Sequence, residues 1–175
     1  MRLHSLIDAL QESLEQELFL IGALSSELYR APAVGHFSSS VGMHLRHNLD
    51  HFEAFFNGLE NGEVDYESRS RKTQIEDIPG LAEEAIADYL EKLDHLRAAD
   101  EKFIQVREES EVGIEERRWL DSSVGRELQF LLGHTVHHNA IIAMIVDRHG
   151  IHLPKGFGVA PSTQRHVANS EVVEG

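Results

Sequence analysis

The sequence predicts an all-α fold: a four-helix bundle with one long crossover loop and a small β-hairpin before the last helix. Three observations carry that reading. Apolar residues recur at three- and four-residue steps in four separate stretches, each long enough for several helical turns. Clusters of Pro, Gly and Ser punctuate the gaps between them. The 175 residues show no internal repeat and no shift of composition, so they form one domain. The bundle is assigned to residues 1–165 and a flexible C-terminal tail to residues 166–175.

The first helix follows from Leu3, Ile7, Leu10, Leu14, Leu18, Ile21, Leu24 and Leu28, and is expected from Ser5 to Tyr29, before Pro32 and Gly35 break it. Ser38 to Ser40 offer caps for a second helix that reaches Glu60 and turns Val41, Leu45, Phe52, Phe55, Phe56 and Leu59 to the core. The polar stretch EVDYESRSRKTQIEDIPG is the crossover loop. A third helix is expected from Leu81 to Phe103, with Ile86, Leu90, Leu93 and Leu96 inward. β-Branched residues around Val112 and Gly113 suggest the hairpin. The fourth helix, Ser123 to Arg148, is the most apolar and stops at Gly150. Beyond it GIHLPKGFGVAPSTQRH reads as an ordered arm over one end of the bundle, and VANSEVVEG as a frayed end.

Thirty acidic against 16 basic side chains give a formal net charge of -14, which repels phosphate backbones and anionic membranes. Neither nucleic acid nor a membrane is an expected partner. With no cysteine there is no disulfide, thiolate ligand or cysteine nucleophile, so any metal must sit on nitrogen and oxygen. The N-terminal stretch lacks the apolar core of a signal peptide, and no run approaches a membrane span, so a cytoplasmic location is expected.

Within the fourth helix LLGHTVHHNAII places His134 and His138 four residues apart, stacked on one face, while His137 points elsewhere. Projection puts Glu127, Leu131, His134, His138, Ile141 and Ile145 in one stripe facing the core. In the second helix MHLRHNLDHFE spaces His44, His47 and His51 by three and four. A lone histidine on a helix is an ordinary polar residue. Two clusters on separate core-facing helices are different, because each buried ring without a partner costs roughly 1–3 kcal/mol. Two histidines from the fourth helix and one from the second can meet on a divalent transition metal (zinc, nickel or iron) and leave coordination positions open. His4, His36, His95, His149, His152 and His166 are read as surface or loop residues, with His152 able to overhang the pocket.

The pair SVGMHLRHNLDHFEAFF and GHTVHHNAII resembles the DinB/YfiT-like superfamily across the helical body. The resemblance implies a four-helix bundle, commonly a homodimer, whose metal is held by His47, His134 and His138. It also implies an enzyme acting on a small molecule, either a transferase or isomerase using a low-molecular-weight thiol or a hydrolase; a non-enzymatic metal or oxygen binder is the alternative. By projection His44 and His51 lie nearer the apolar centre of their helix than His47, so His51 is the second choice of ligand.

Other polar residues have two readings each. Asp50 either accepts the second ring proton of His47 or faces solvent. Glu127, the catalytic candidate, is a fourth ligand, a support for the ligands or a general base, or else it forms a buried ion pair with Arg69, Arg71 or Arg126. Tyr66, Arg69 and Arg71 either bind a substrate carboxylate or phosphate or balance acidic neighbours in an exposed loop.

Overall fold

The computed structural model describes residues 3–33, 38–68, 73–108 and 118–173. Gly35, His36, Arg69, Arg71, Val112 and Gly113 lie outside them. The fold is mainly helical with a small sheet. Its elements are α1 (His4–Ala23), α2 (Ser26–Arg30), α3 (Val41–Asn61), β1 (Glu63–Val64), a 3-10 turn (Thr73–Glu76), α4 (Pro79–Leu96), β2 (Phe103–Arg107), β3 (Trp119–Ser123), α5 (Val124–Asp147) and α6 (Pro161–Val173). Among the described residues no helix is long and apolar enough to cross a membrane.

The four long helices form the bundle. α1 and α3 each pack against both α4 and α5, so α1 and α3 face each other across the diagonal. Serine hydroxyls start the two helices that carry the histidine clusters. Ser40 accepts from the Met43 amide at 3.2 Å and Ser123 from the Arg126 amide at 3.3 Å, and each such cap is worth about 0.5–2 kcal/mol.

Several boundaries differ from expectation. The first helix is not continuous: Leu24 is extended, and Ser25 caps a separate short helix by accepting from the Leu28 amide. α4 starts at Pro79, a residue suited to a first helical position, and stops at Leu96 rather than Phe103. Phe103 instead opens β2, because the alternating FIQVR segment is claimed by main-chain pairing on both sides. The hairpin strands are β2 and β3, antiparallel with Phe103 opposite Ser123, and they flank the point where the hairpin was expected. β1 adds a third, parallel strand from the start of the crossover segment, pairing Val64 with Val106.

The C-terminal arm lies over α5. Phe157 is buried, and Gly158, at a φ of 68°, runs so close that a Cβ there would stand 2.5 Å from the Ala140 nitrogen. The tail assigned to residues 166–175 is helical as far as Val173, within α6.

The core stripe of α5 also differs. The buried positions are Val124, Leu128, Leu131, Thr135, Asn139, Ile142 and Val146, together with Glu127 and Leu132. His134, His138, Ile141 and Ile145 are only half-buried. The helix is thus rotated by somewhat less than the roughly 100° of one residue, and Glu127 and Leu131 face inward in both orientations. Opposite it lies Glu17, within the Leu10, Leu14 and Ile21 stripe of α1, which is fully buried, accepts from the Asn48 amide at 2.9 Å and has the Asn139 side chain beside it. This polar layer shares the core with Asn139, and the histidines lie at the α3/α5 seam.

Burial pushes the Glu17 carboxyl from 4.5 up to about 8, against the opposing pull of the two amides. A raised acid stabilises the fold fully below pH 4.5 and loses that contribution as pH rises through about 8. We expect Glu17→Gln to gain stability over wild type progressively between those values, read as urea midpoints across a pH series. Parallel midpoints over that range would contradict it.

Candidate metal centre

α3 and α5 bring five imidazoles together along their seam. The Nε2 atoms of His47 and His134 are 3.2 Å apart, close to the roughly 3.3 Å that separates two nitrogens on a tetrahedral ion with bonds of 2.0–2.1 Å. His51 joins them: one ligand atom from each of His47, His51 and His134 lies within 4.8 Å of the others, close enough to hold a metal ion. The ring of His51 stacks on His134 with centroids 3.8 Å apart.

The donor chemistry of these rings fits a cation. The His47 carbonyl, 2.9 Å from Nδ1 of His51, can only accept, so Nδ1 carries the proton and Nε2 keeps its lone pair. Nδ1 of His134 is buried without a hydrogen-bond partner. Burial, followed by the repulsion of His51, His138, His47 and His137, lowers His134 to about 2. Burial followed by His47, His44 and His137 lowers His138 to about 3. His44 is lowered as well, by burial and then His137. Rings held neutral offer lone pairs at physiological pH.

His138 stands at the flank of the trio, its ring centroid 4.7 Å from that of His47 and 4.6 Å from that of His134. Its Nδ1 is 2.9 Å from Nδ1 of His44, whose Nε2 is 2.8 Å from the Ser39 hydroxyl. The structure therefore gathers His47, His134 and His138 in one cluster, but places His51 in the tight three-nitrogen group. His137 is exposed and touches His138 edge-on. His4, His95, His149, His152 and His166 are exposed.

Residues of the crossover segment and α5 pack around these rings. Tyr66 stacks on His51 at 5.5 Å and donates its hydroxyl proton to Glu127 at 2.9 Å. Burial, then the Glu127 carboxylate, pushes the phenol pKa up. Glu127 is buried, also accepts from Ser122, and takes an ion pair from Arg126 at 3.3 Å, one of the partners expected for it. Among the described residues it is not in the three-nitrogen group. Asp50 is buried and paired with Arg46, which also reaches Glu76, so it does not face solvent. Sequence reasoning missed Ser39, Ser122 and the Glu17 layer. Only Glu17 carried a usable signal, a charged residue inside an apolar stripe.

No family model and no solved structure matches the chain. Among curated proteins, a stretch of 46 residues is 46% identical to FK506-binding protein 5 of Rhizopus delemar; it spans 26% of this chain and 12% of that protein. So short a segment of the other protein carries no argument about this one.

Half-buried histidines held neutral make an acid-labile fold. The unfolded rings take protons near pH 6.5 while His134 and His138 resist down to about 2 and 3, so stability falls as pH drops below 6.5. We expect metal-free His134→Phe to lose less stability than metal-free wild type between pH 6.5 and 4, and equal losses in denaturant titrations would refute the assignment.

Proposed function

We propose that the chain is a DinB-like metal-dependent enzyme, holding one divalent transition cation (zinc, nickel or iron) on histidines of α3 and α5 and acting on a small molecule. The observation that carries this reading is the 3.2 Å approach of the His47 and His134 Nε2 atoms, with His51 beside them. One neutral ring can donate an N–H to the other across this gap, whereas a cation uses both lone pairs at once. His51 or His138 supplies the third nitrogen, leaving positions open to substrate.

A divalent cation at such a site supplies Lewis acidity, lowering the pKa of a thiol or water or polarising a substrate oxygen. The chain's own residues do the rest. His47 and His134 orient the reacting group, Tyr66 shields one side, and Glu127 is the proton acceptor, fixed by Tyr66, Ser122 and Arg126. Without cysteine in the chain, a reacting thiol arrives as a low-molecular-weight cosubstrate in a transfer or isomerisation; hydrolysis of an ester or amide uses the same groups. We propose a homodimer, which light scattering tests.

A second reading, a non-enzymatic metal or oxygen binder, is favoured by the His44 and His138 pair, whose Nδ1 atoms stand 2.9 Å apart beside the trio and offer nitrogens to a second ion. The absence of a carboxylate from the three-nitrogen group among the described residues weighs against a carboxylate-bridged pair of irons.

Metal content of untagged protein decides between them: close to one ion per chain supports the enzyme, and two irons with reversible oxygen binding support the carrier. His47→Ala and His134→Ala are expected to weaken cobalt(II) by more than the roughly 10–100-fold typical of losing an outer support. Wild-type affinity in both variants would end the metal reading. Glu127→Gln is expected to keep its metal and lower turnover on the order of 10²–10⁴-fold. Turnover is assayed with thiol-dependent transfer and ester substrates, and cobalt spectra are recorded with and without glutathione, bacillithiol or mycothiol. A sulfur-to-metal charge-transfer band with none of these thiols would remove the thiol branch.

A further inference from the structure

Both helices that carry the metal-site histidines repeat one local pattern, a histidine followed by an asparagine: His47-Asn48 in α3 and His138-Asn139 in α5. Adjacent helical residues diverge by about 100°. The histidines therefore occupy the half-buried seam while Asn48 and Asn139 turn into the core, where both are 1% exposed or less. Glu17 meets them there from α1, on the far side of the bundle, and is itself 0% exposed. Its Oε1 accepts from Nδ2 of Asn48 at 2.9 Å, across the diagonal, and the Asn139 side chain comes close enough to the same carboxyl to lower its pKa. Thr135, one residue after His134, also turns into the core and is 1% exposed.

We infer that Glu17 is a positioning residue for the metal centre: by bridging Asn48 and Asn139 it fixes the separation and rotation of α3 and α5, and with them the approach of His47 to His134. This rests on the metal reading above for its functional meaning, but the geometric part stands apart from it.

Three observations support a specific bridge over generic packing. The carboxyl bonds the Asn48 amide of α3 and has the Asn139 side chain of α5 beside it, so moving α3 breaks a bond and moving α5 strips a polar neighbour from a buried carboxyl. Apolar contacts hold no such register, whereas a buried polar bond does, because breaking it leaves an unsatisfied group in the core. The layer also has spare capacity for a second bond. Oε2 of Glu17 and the Oδ1 atoms of Asn48 and Asn139 are buried without partners, and a carboxyl that burial keeps protonated at neutral pH has an O–H to offer one of those oxygens. Finally, the layer lies where α5 turns Asn139 inward, with His134 and His138 at the seam.

The chain has no native cysteine, so spin labels at Met43→Cys and Met144→Cys, both exposed, report the α3 to α5 separation by pulsed electron spin resonance. Three backgrounds are compared by label distance and by cobalt(II) affinity without labels, well below each melting temperature: Glu17→Gln, Glu17→Leu, and the triple variant Glu17→Leu, Asn48→Leu, Asn139→Leu. The triple leaves no amide unpaired in that layer and keeps the bridge testable if Glu17→Leu does not fold. Glu17→Gln is expected to keep the wild-type distance distribution and affinity. Glu17→Leu and the triple are expected to shift or broaden the distribution and weaken cobalt about tenfold or more. An unchanged distribution in the folded leucine variants overturns the bridge, as does a distribution in Glu17→Gln as altered as theirs. If wild type binds no cobalt, the metal reading fails, and the label distances still decide whether Glu17 sets the helix spacing.

Discussion

Packing α3 against α5 forces imidazole nitrogens into contact, and most of what distinguishes this bundle follows from that crowding. The His47 and His134 nitrogens at 3.2 Å, and those of His44 and His138 at 2.9 Å, are pairs in which one neutral ring donates an N–H to the other or both turn lone pairs to a cation. Burial and neighbouring rings oppose a positive charge on His134 and His138. Rings held neutral keep lone pairs available to a cation. Tautomer control of His51 by a main-chain carbonyl, and the stacking of Tyr66 beside it, keep that arrangement in order.

The remainder of the core is organised to hold the two helices while leaving their rings at a seam. Apolar residues from all four long helices supply most of the buried surface, yet the layer that faces the seam from within is polar. Burying Glu17, Asn48, Thr135 and Asn139 sacrifices some hydrophobic stabilisation for a defined register. The result is a bundle with two polar zones back to back, one of imidazoles open to ligands and one of amides and a carboxyl sealed from solvent.

Much of this was legible in the sequence. Four amphipathic stretches give four long helices, and the two histidine clusters meet because each recurs at helical spacing on elements that pack together. The misreadings have physical causes. Phe103 was assigned to a helix because apolar periodicity cannot register main-chain partners distant in the chain, and such partners, Ser123 opposite Phe103 and Val64 opposite Val106, made FIQVR a strand. The stripe of α5 was rotated because Ile141 and Ile145 outscore Thr135 and Asn139 in any apolar count, although Glu17 stands beside Asn139 in the core. Choosing among His44, His47 and His51 depends on packing between helices, which spacing within one helix does not encode. Ser39 and Ser122 were invisible for the same reason.

The sheet bears on how the chain can change over time. The Gly62 carbonyl at the end of α3 accepts from the Gln105 amide at 2.8 Å, and Val124, the first residue of α5, donates its amide to the Lys102 carbonyl at 3.0 Å. One end of each histidine helix is thereby tied to the same strand through main-chain atoms alone. Bonds of that kind are blind to side-chain identity. The outward positions of the strands, Phe103 among them at 85% exposure, are free to drift under selection for solubility or new surroundings while the frame beneath the histidines stays put.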